Sequence, residues 1–160
     1  EMLPPVLKTA METVPLPLAP APTTEELEQL RNDKSEVTRR WAARLLAQAK
    51  AGKPFIRDYP FPLQIWEFGG KQLLVTLGGE PVVDYAWKFK WKFGPQTWVA
   101  GYCNDVMAYI PSVRVLKEGG YEGSSSMCVY GLPALRWGDD VESLLDAAAG
   151  RLAQRVKDMK

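Results

Sequence analysis

Proline decides first what this chain can fold into. Six of its thirteen prolines (Pro4, Pro5, Pro15, Pro17, Pro20 and Pro22) fall within the first 22 of 160 residues. Each removes a backbone donor and biases its predecessor to extended geometry, so Val14 to Pro22 cannot be helical. Residues 1–22 are expected to form a Pro-rich extended segment, an edge strand running into a polyproline-type connector. A proline-motif ligand is the sharper alternative, but no basic residue flanks this run.

Beyond Pro22 the pattern changes. Thr23 and Glu26 have capping-box spacing, and Leu27, Leu30, Val37, Trp41 and Leu45 recur at helical intervals. One amphipathic helix is expected from about 24 to about 50, ended by Gly52 and Pro54. Leu63 to Phe68 alternates as a strand after Pro60 and Pro62, Gly69-Gly70 turns the chain, and 71–77 is a second, apolar strand. Pro81 suits a helix start and Gly94-Pro95 a stop, giving a helix over 81–93. Strict alternation from Trp87 to Phe93 offers a strand instead, with aromatic and basic residues interleaved. Further elements are a strand over 97–102, a helix from Pro111 to Glu118, a Gly/Ser loop at 123–126 and a helix over about 139–157. That last helix carries the stripe Val141, Leu144, Leu145, Ala148, Leu152 and Val156. Strand–helix–strand order from 71 to 102 implies an α/β fold: a mixed sheet with a parallel crossover and flanking helices.

Composition closes off several functions. Charge is nearly balanced at +1, which gives no bulk field for nucleic acid, and no apolar run is long enough to span a bilayer. There is no histidine, so a self-contained His-based hydrolase is excluded. Cys103 and Cys128 match neither a disulfide framework nor a zinc ribbon; free thiols or a single bridge both remain open. The chain begins at Glu1 with neither an initiator Met nor a signal-peptide pattern, and a missing N-terminal part is expected.

In layered α/β proteins, ligands sit at the carboxyl ends of strands. Here those ends supply Gly78-Gly79-Glu80 and the loop from Tyr102 to Ile110. By residue type alone, Glu80 reads as a helix-start carboxylate and Tyr109 or Tyr121 as half-buried packing. Spacing by itself leaves an α/β domain without a function.

Three separated blocks add more. They are Leu77-Gly78-Gly79-Glu80-Pro81-Val82-Val83-Asp84-Tyr85, then Trp98 through Ser112 (WVAGYCNDVMAYIPS), then Gly119-Gly120-Tyr121-Glu122-Gly123. In this order they resemble the bacterial branch of the neutral/alkaline non-lysosomal ceramidase family. The proline stretch and Tyr59-Pro60-Phe61-Pro62 are similar as well. The resemblance implies that residues 23–160 form the C-terminal portion of a larger layered αββα catalytic domain. It implies a zinc amidohydrolase that cleaves the N-acyl amide of ceramide, or of a similar lipid, to fatty acid and sphingoid base. Glu80 and Tyr109 would be metal ligands, Asn104 and Tyr121 substrate-binding residues, and Tyr121 also the catalytic donor to the scissile carbonyl. Two histidines would complete the zinc site from the missing N-terminal half, the expected partner alongside the lipid amide. A secreted or periplasmic location follows from the same resemblance.

The chemistry suits such a site. Zinc with an open position brings bound water to a pKa near ~7. A phenol aimed at the oxyanion contributes roughly 3 kcal/mol. Two other readings stand beside it: a related hydrolase of another N-acyl substrate, and a non-catalytic lipid- or partner-binding module using the aromatic surface around Trp87, Trp91 and Trp137.

Overall fold

The computed structural model describes residues 2–159. Its main sheet has the order β1-β2-β3-β5, with β1 Leu7–Pro17, β2 Asp58–Phe68, β3 Gln72–Leu77 and β5 Trp98–Ala100. β1 and β2 run antiparallel over eleven residue pairs, β2 and β3 antiparallel across the Gly69-Gly70 turn, and β3 and β5 parallel. The fold is thus α/β with a mixed sheet, a parallel crossover and flanking helices. Two further short strands, β4 Glu80–Pro81 and β6 Tyr109–Ile110, pair in parallel beyond the end of β3.

The prolines fit this ladder rather than interrupt it. Pro15 faces Pro60 and Pro62 faces Thr13, all at alternate positions. A residue without an N–H can occupy the non-hydrogen-bonded pairs of an antiparallel ladder, leaving Val14–Phe61 and Leu16–Tyr59 to carry the bonds. The strand therefore begins at Asp58, earlier than the Leu63 that alternation marks, and the leading strand is longer at its N-terminal side than proline content suggests.

One sheet face is covered. Ala10, Val14, Phe61, Leu63, Ile65, Val75 and Leu77 pack against α6 (Val141–Asp158) and α3 (Asp84–Phe93). α6 buries the expected stripe, Val141, Leu145, Ala148, Leu152 and Val156. Arg151 of α6 pairs with Glu12 of β1, fixing the helix across the strand. In α3, Tyr85 and Phe89 enter the core and Phe89 stacks on Phe93 at 5.9 Å. The helix thus prevails over the strand pattern of 87–93 because Lys88 and Lys92 reach Glu142 and Asp146 on α6, at 2.7 and 2.8 Å. It starts at Asp84 rather than Pro81, since Pro81 is committed to β4.

The opposite face is open. Thr9, Trp66, Leu74 and Trp98 line up across the four strands on that side, and Leu7, Met11 and Trp98 are exposed. A shallow apolar groove of about 330 Å3 between Val6, Leu7, Phe68 and Trp98 continues it.

The single helix expected over 24–50 is two: α1 Thr24–Leu30 and α2 Glu36–Lys50. Thr23 and Glu26 form the capping box. The break lies at Asp33-Lys34-Ser35, where the Asp33 carboxylate accepts the Ser35 N–H at 2.7 Å and Ser35 caps Thr38. These short polar side chains satisfy backbone donors locally, which ends one helix and starts the next. α2 then folds back on α1, and Lys50 meets Glu28 at 2.9 Å. The pair encloses a second, small core of Leu27, Trp41, Ala42, Leu45 and Leu46, joined by Cys128.

The remaining elements are α4 Val113–Glu118, capped by Ser112, a single π-helical turn Tyr121–Ser125, and α5 Met127–Tyr130. The π turn replaces the expected Gly/Ser loop. Trp137, read from the sequence as part of an aromatic surface, is buried: its indole N–H donates to the Tyr109 carbonyl at 2.8 Å and Tyr59 packs edge-on against it. Both cysteines are free thiols. Among the described residues no helix is long and apolar enough to cross a membrane.

Candidate functional site

The segment after β3 is sewn to the loop after β5 by backbone bonds. Gly79 N–H donates to Asp105 O (2.8 Å), Glu80 N–H to Ala108 O (2.9 Å) and Tyr102 N–H to Gly79 O (2.8 Å). Gly79 makes this approach possible. Its φ is +63°, and a Cβ there would sit 2.6 Å from Ala108 O. Gly101 is equally constrained, since a Cβ would meet Pro81 Cδ at 2.5 Å.

The result is that Glu80 and Tyr109 are direct cross-strand partners in β4 and β6. Three phenols, those of Tyr102, Tyr109 and Tyr130, meet the Glu80 carboxylate. Hydrogen bonding to Glu80, with burial and its negative charge second, holds the Tyr109 and Tyr102 pKa values up to about 12. Tyr130 is also raised, by burial first and then by Glu80. Tyr121 stands edge-on to Tyr109 with ring centroids 5.5 Å apart, and Tyr130 edge-on at 6.4 Å. Tyr121 opens the π turn and is half exposed. Such turns recur at functional sites.

Asn104 shares the loop but is exposed, and what it supplies is a left-handed bend, φ +68°, that Asn tolerates. Tyr102 adopts φ +57°, an unusual state for a bulky side chain and one held in place by the stitching to Gly79. Tyr102 and Tyr130 are the site residues that sequence reasoning missed. Their only signals are position: Tyr102 follows Gly101 at the end of a strand, and Tyr130 precedes the left-handed Gly131.

Beside this cluster runs a cleft of about 400 Å3, lined by Glu80, Val83, Tyr109, Arg114, Glu118 and Glu122. Arg114 is held between Asp84 (3.0 Å) and Glu118 (2.8 Å), and it keeps the Asp84 carboxyl below its ordinary pKa.

Glu80 and Tyr109 offer two hard oxygen donors from adjacent strands, a donor set that suits half of a catalytic zinc's ligands. Among the described residues no group of three or more His, Cys, Asp or Glu that could hold a metal gathers here or elsewhere. No family model, curated protein or solved structure matches the chain.

Proposed function

We propose that this chain carries part of the active site of a zinc-dependent amidohydrolase resembling neutral ceramidase, one that cleaves the N-acyl amide of ceramide or a similar lipid. The observation that carries the reading is the cross-strand pairing of Glu80 with Tyr109, which brings a carboxylate and a phenol from separate chain segments to one place. A zinc ion there would polarise the amide carbonyl and acidify a water. Glu80 and Tyr109 would hold it together with two histidines from outside this chain, and Tyr109 would give up its proton on binding. Tyr121, half exposed and against Tyr109, would donate a hydrogen bond to the oxyanion. Asn104 lies at the same edge for substrate contact.

A second reading is a non-catalytic lipid- or partner-binding module, favoured by the exposure of Trp87 and Trp91 on α3. A related hydrolase of another N-acyl substrate shares the first mechanism. The test is an assay of the full protein, histidine-bearing half included, on a panel of N-acyl lipids with zinc content measured in parallel. The reading expects zinc-dependent release of fatty acid, lost in Glu80→Gln together with the metal. Full zinc content and activity in Glu80→Gln would overturn it, and hydrolysis of other amides in preference to ceramide would select the third reading.

A further inference from the structure

α3 sends one side into the core and leaves the other without a partner. Val83, Trp87 and Trp91 follow at intervals of four, so they form one ridge about 12 Å long on the outer side of the helix. They are 64%, 71% and 90% exposed. Large exposed apolar side chains in a continuous row mark a contact surface rather than the scattered exposure every protein shows.

Three observations name the occupant. The ridge starts at the lip of the candidate site, since Val83 lines the Glu80–Tyr109 cleft. The charges of its groove are already matched: between the indoles it is walled by Trp87, Lys88, Trp91, Lys92 and Asp146, where Lys92 pairs with Asp146 and Lys88 with Glu142, while Lys90 beside it is turned to the Thr97 carbonyl at 2.7 Å. Such a surface has no net attraction for an anionic partner. Side-by-side cation and anion instead complement a zwitterionic head group, and an indole face receives a quaternary ammonium. Finally, Trp91 stands almost clear of the surface. A folded protein partner would need a pocket shaped for it, whereas a lipid surface needs none, and indoles favour the polar–apolar boundary of a bilayer.

We propose that the Val83–Trp87–Trp91 ridge docks the chain onto the phosphocholine surface of a lipid bilayer, with the Glu80–Tyr109 cleft held at the interface. The proposal rests on the lipid-amide reading for its purpose but not for its test. Trp87 and Trp91 belong to the docking surface, while Trp98, on the open sheet face away from α3, serves as the control.

The chain is co-sedimented with dioleoylphosphatidylcholine vesicles, and contact is read by quenching of tryptophan emission with brominated lipid. Trp87→Ala and Trp91→Ala should each weaken binding about tenfold. The double variant should not bind, Trp98→Ala should bind as the parent does, and roughly 0.5 M salt should change little. Far-ultraviolet circular dichroism checks folding, with Trp87→Gln and Trp91→Gln as alternatives if alanine disturbs the helix. The proposal is overturned if the parent chain does not bind these vesicles or if the double variant binds unchanged. It is equally overturned if binding requires anionic phosphatidylglycerol, or if Trp91→Ala only abolishes self-association or capture of a protein. Hydrolysis of a water-soluble short-chain N-acyl substrate by the full protein tests the catalytic reading separately, because it needs no lipid surface.

Discussion

Gly79 does as much for the candidate site as the residues whose chemistry it serves. Its positive φ and the 2.6 Å that a Cβ would leave to Ala108 O allow Glu80 to be drawn against Tyr109. Gly79→Ala is expected to destabilise the chain by more than ~1 kcal/mol, read as a lower urea midpoint, because both the strain and the clash fall on backbone. On the proposed amidase reading, Tyr121→Phe should lower kcat by roughly 10²–10³ with little change in KM, as loss of one oxyanion donor does. Equal losses in kcat and zinc content would instead make Tyr121 a structural neighbour of Tyr109. Tyr59 offers a readout away from Glu80 and Tyr109. Burial, with its bond to Asp105 at 2.6 Å second, lifts its pKa to about 12. Below pH 10 the phenol is neutral whether the chain is folded or unfolded, so it adds no pH dependence. Between 10 and 12 the unfolded phenol ionises first, and stability falls as pH rises. Tyr59→Phe should flatten that alkaline decline in melting temperature, and an unchanged slope would exclude Tyr59 as its source.

Among the elements, the start of α1 was the most legible. The Thr23–Glu26 box gives a cap at the expected residue, and Thr23→Ala should cost ~1 kcal/mol in chemical unfolding. The break at Asp33-Ser35 was not legible, because Leu27, Leu30, Trp41 and Leu45 keep one helical phase across it while the deciding hydrogen bonds are local side-chain contacts. Trp137 was misplaced for a related reason. An indole in a turn-rich segment reads as surface until its N–H is seen to meet the Tyr109 carbonyl. The alternating run 87–93 was resolved by tertiary contacts, since Lys88 and Lys92 find carboxylates on α6 only when that run is helical. Glu80 and Tyr109 could be placed at one sheet edge from strand order alone. Tyr102 and Tyr130 could not, because their approach to Glu80 depends on a left-handed loop and a π turn that periodicity does not encode.

At the scale of the molecule, the sheet has one face packed on helices and one bearing Met11, Trp66, Leu74 and Trp98. Antiparallel pairs dominate this sheet, and such sheets can leave one face to water when it is polar, but this face exposes Leu7, Met11 and Trp98. The chain by itself is therefore expected to bind an apolar dye and to self-associate in sedimentation, aided by the outer edge of β1. A monomer without dye binding would mean that the open face needs no cover, and would weaken the proposal of a missing half. A dimer lost in Trp98→Ala but kept in Trp91→Ala would locate the contact on the sheet rather than on α3.

The helix pair between β1 and β2 reaches the far side of the site. Trp41 donates its indole N–H to the Leu132 carbonyl at 2.6 Å, Arg44 bonds Gly131 O, and Cys128 leans on the small core of Leu27, Trp41 and Leu45. The stretch so gripped directly follows the π turn and includes Tyr130. α1 and α2 thus act as the anvil behind the loop that presents Tyr121 and Tyr130, although neither helix touches the cleft. That loop rests on a miniature core built mainly from residues far upstream in sequence. Wear in that core, a methyl group here or a looser ring there, would reach the tyrosines as play in their bearings long before it unfolded the sheet.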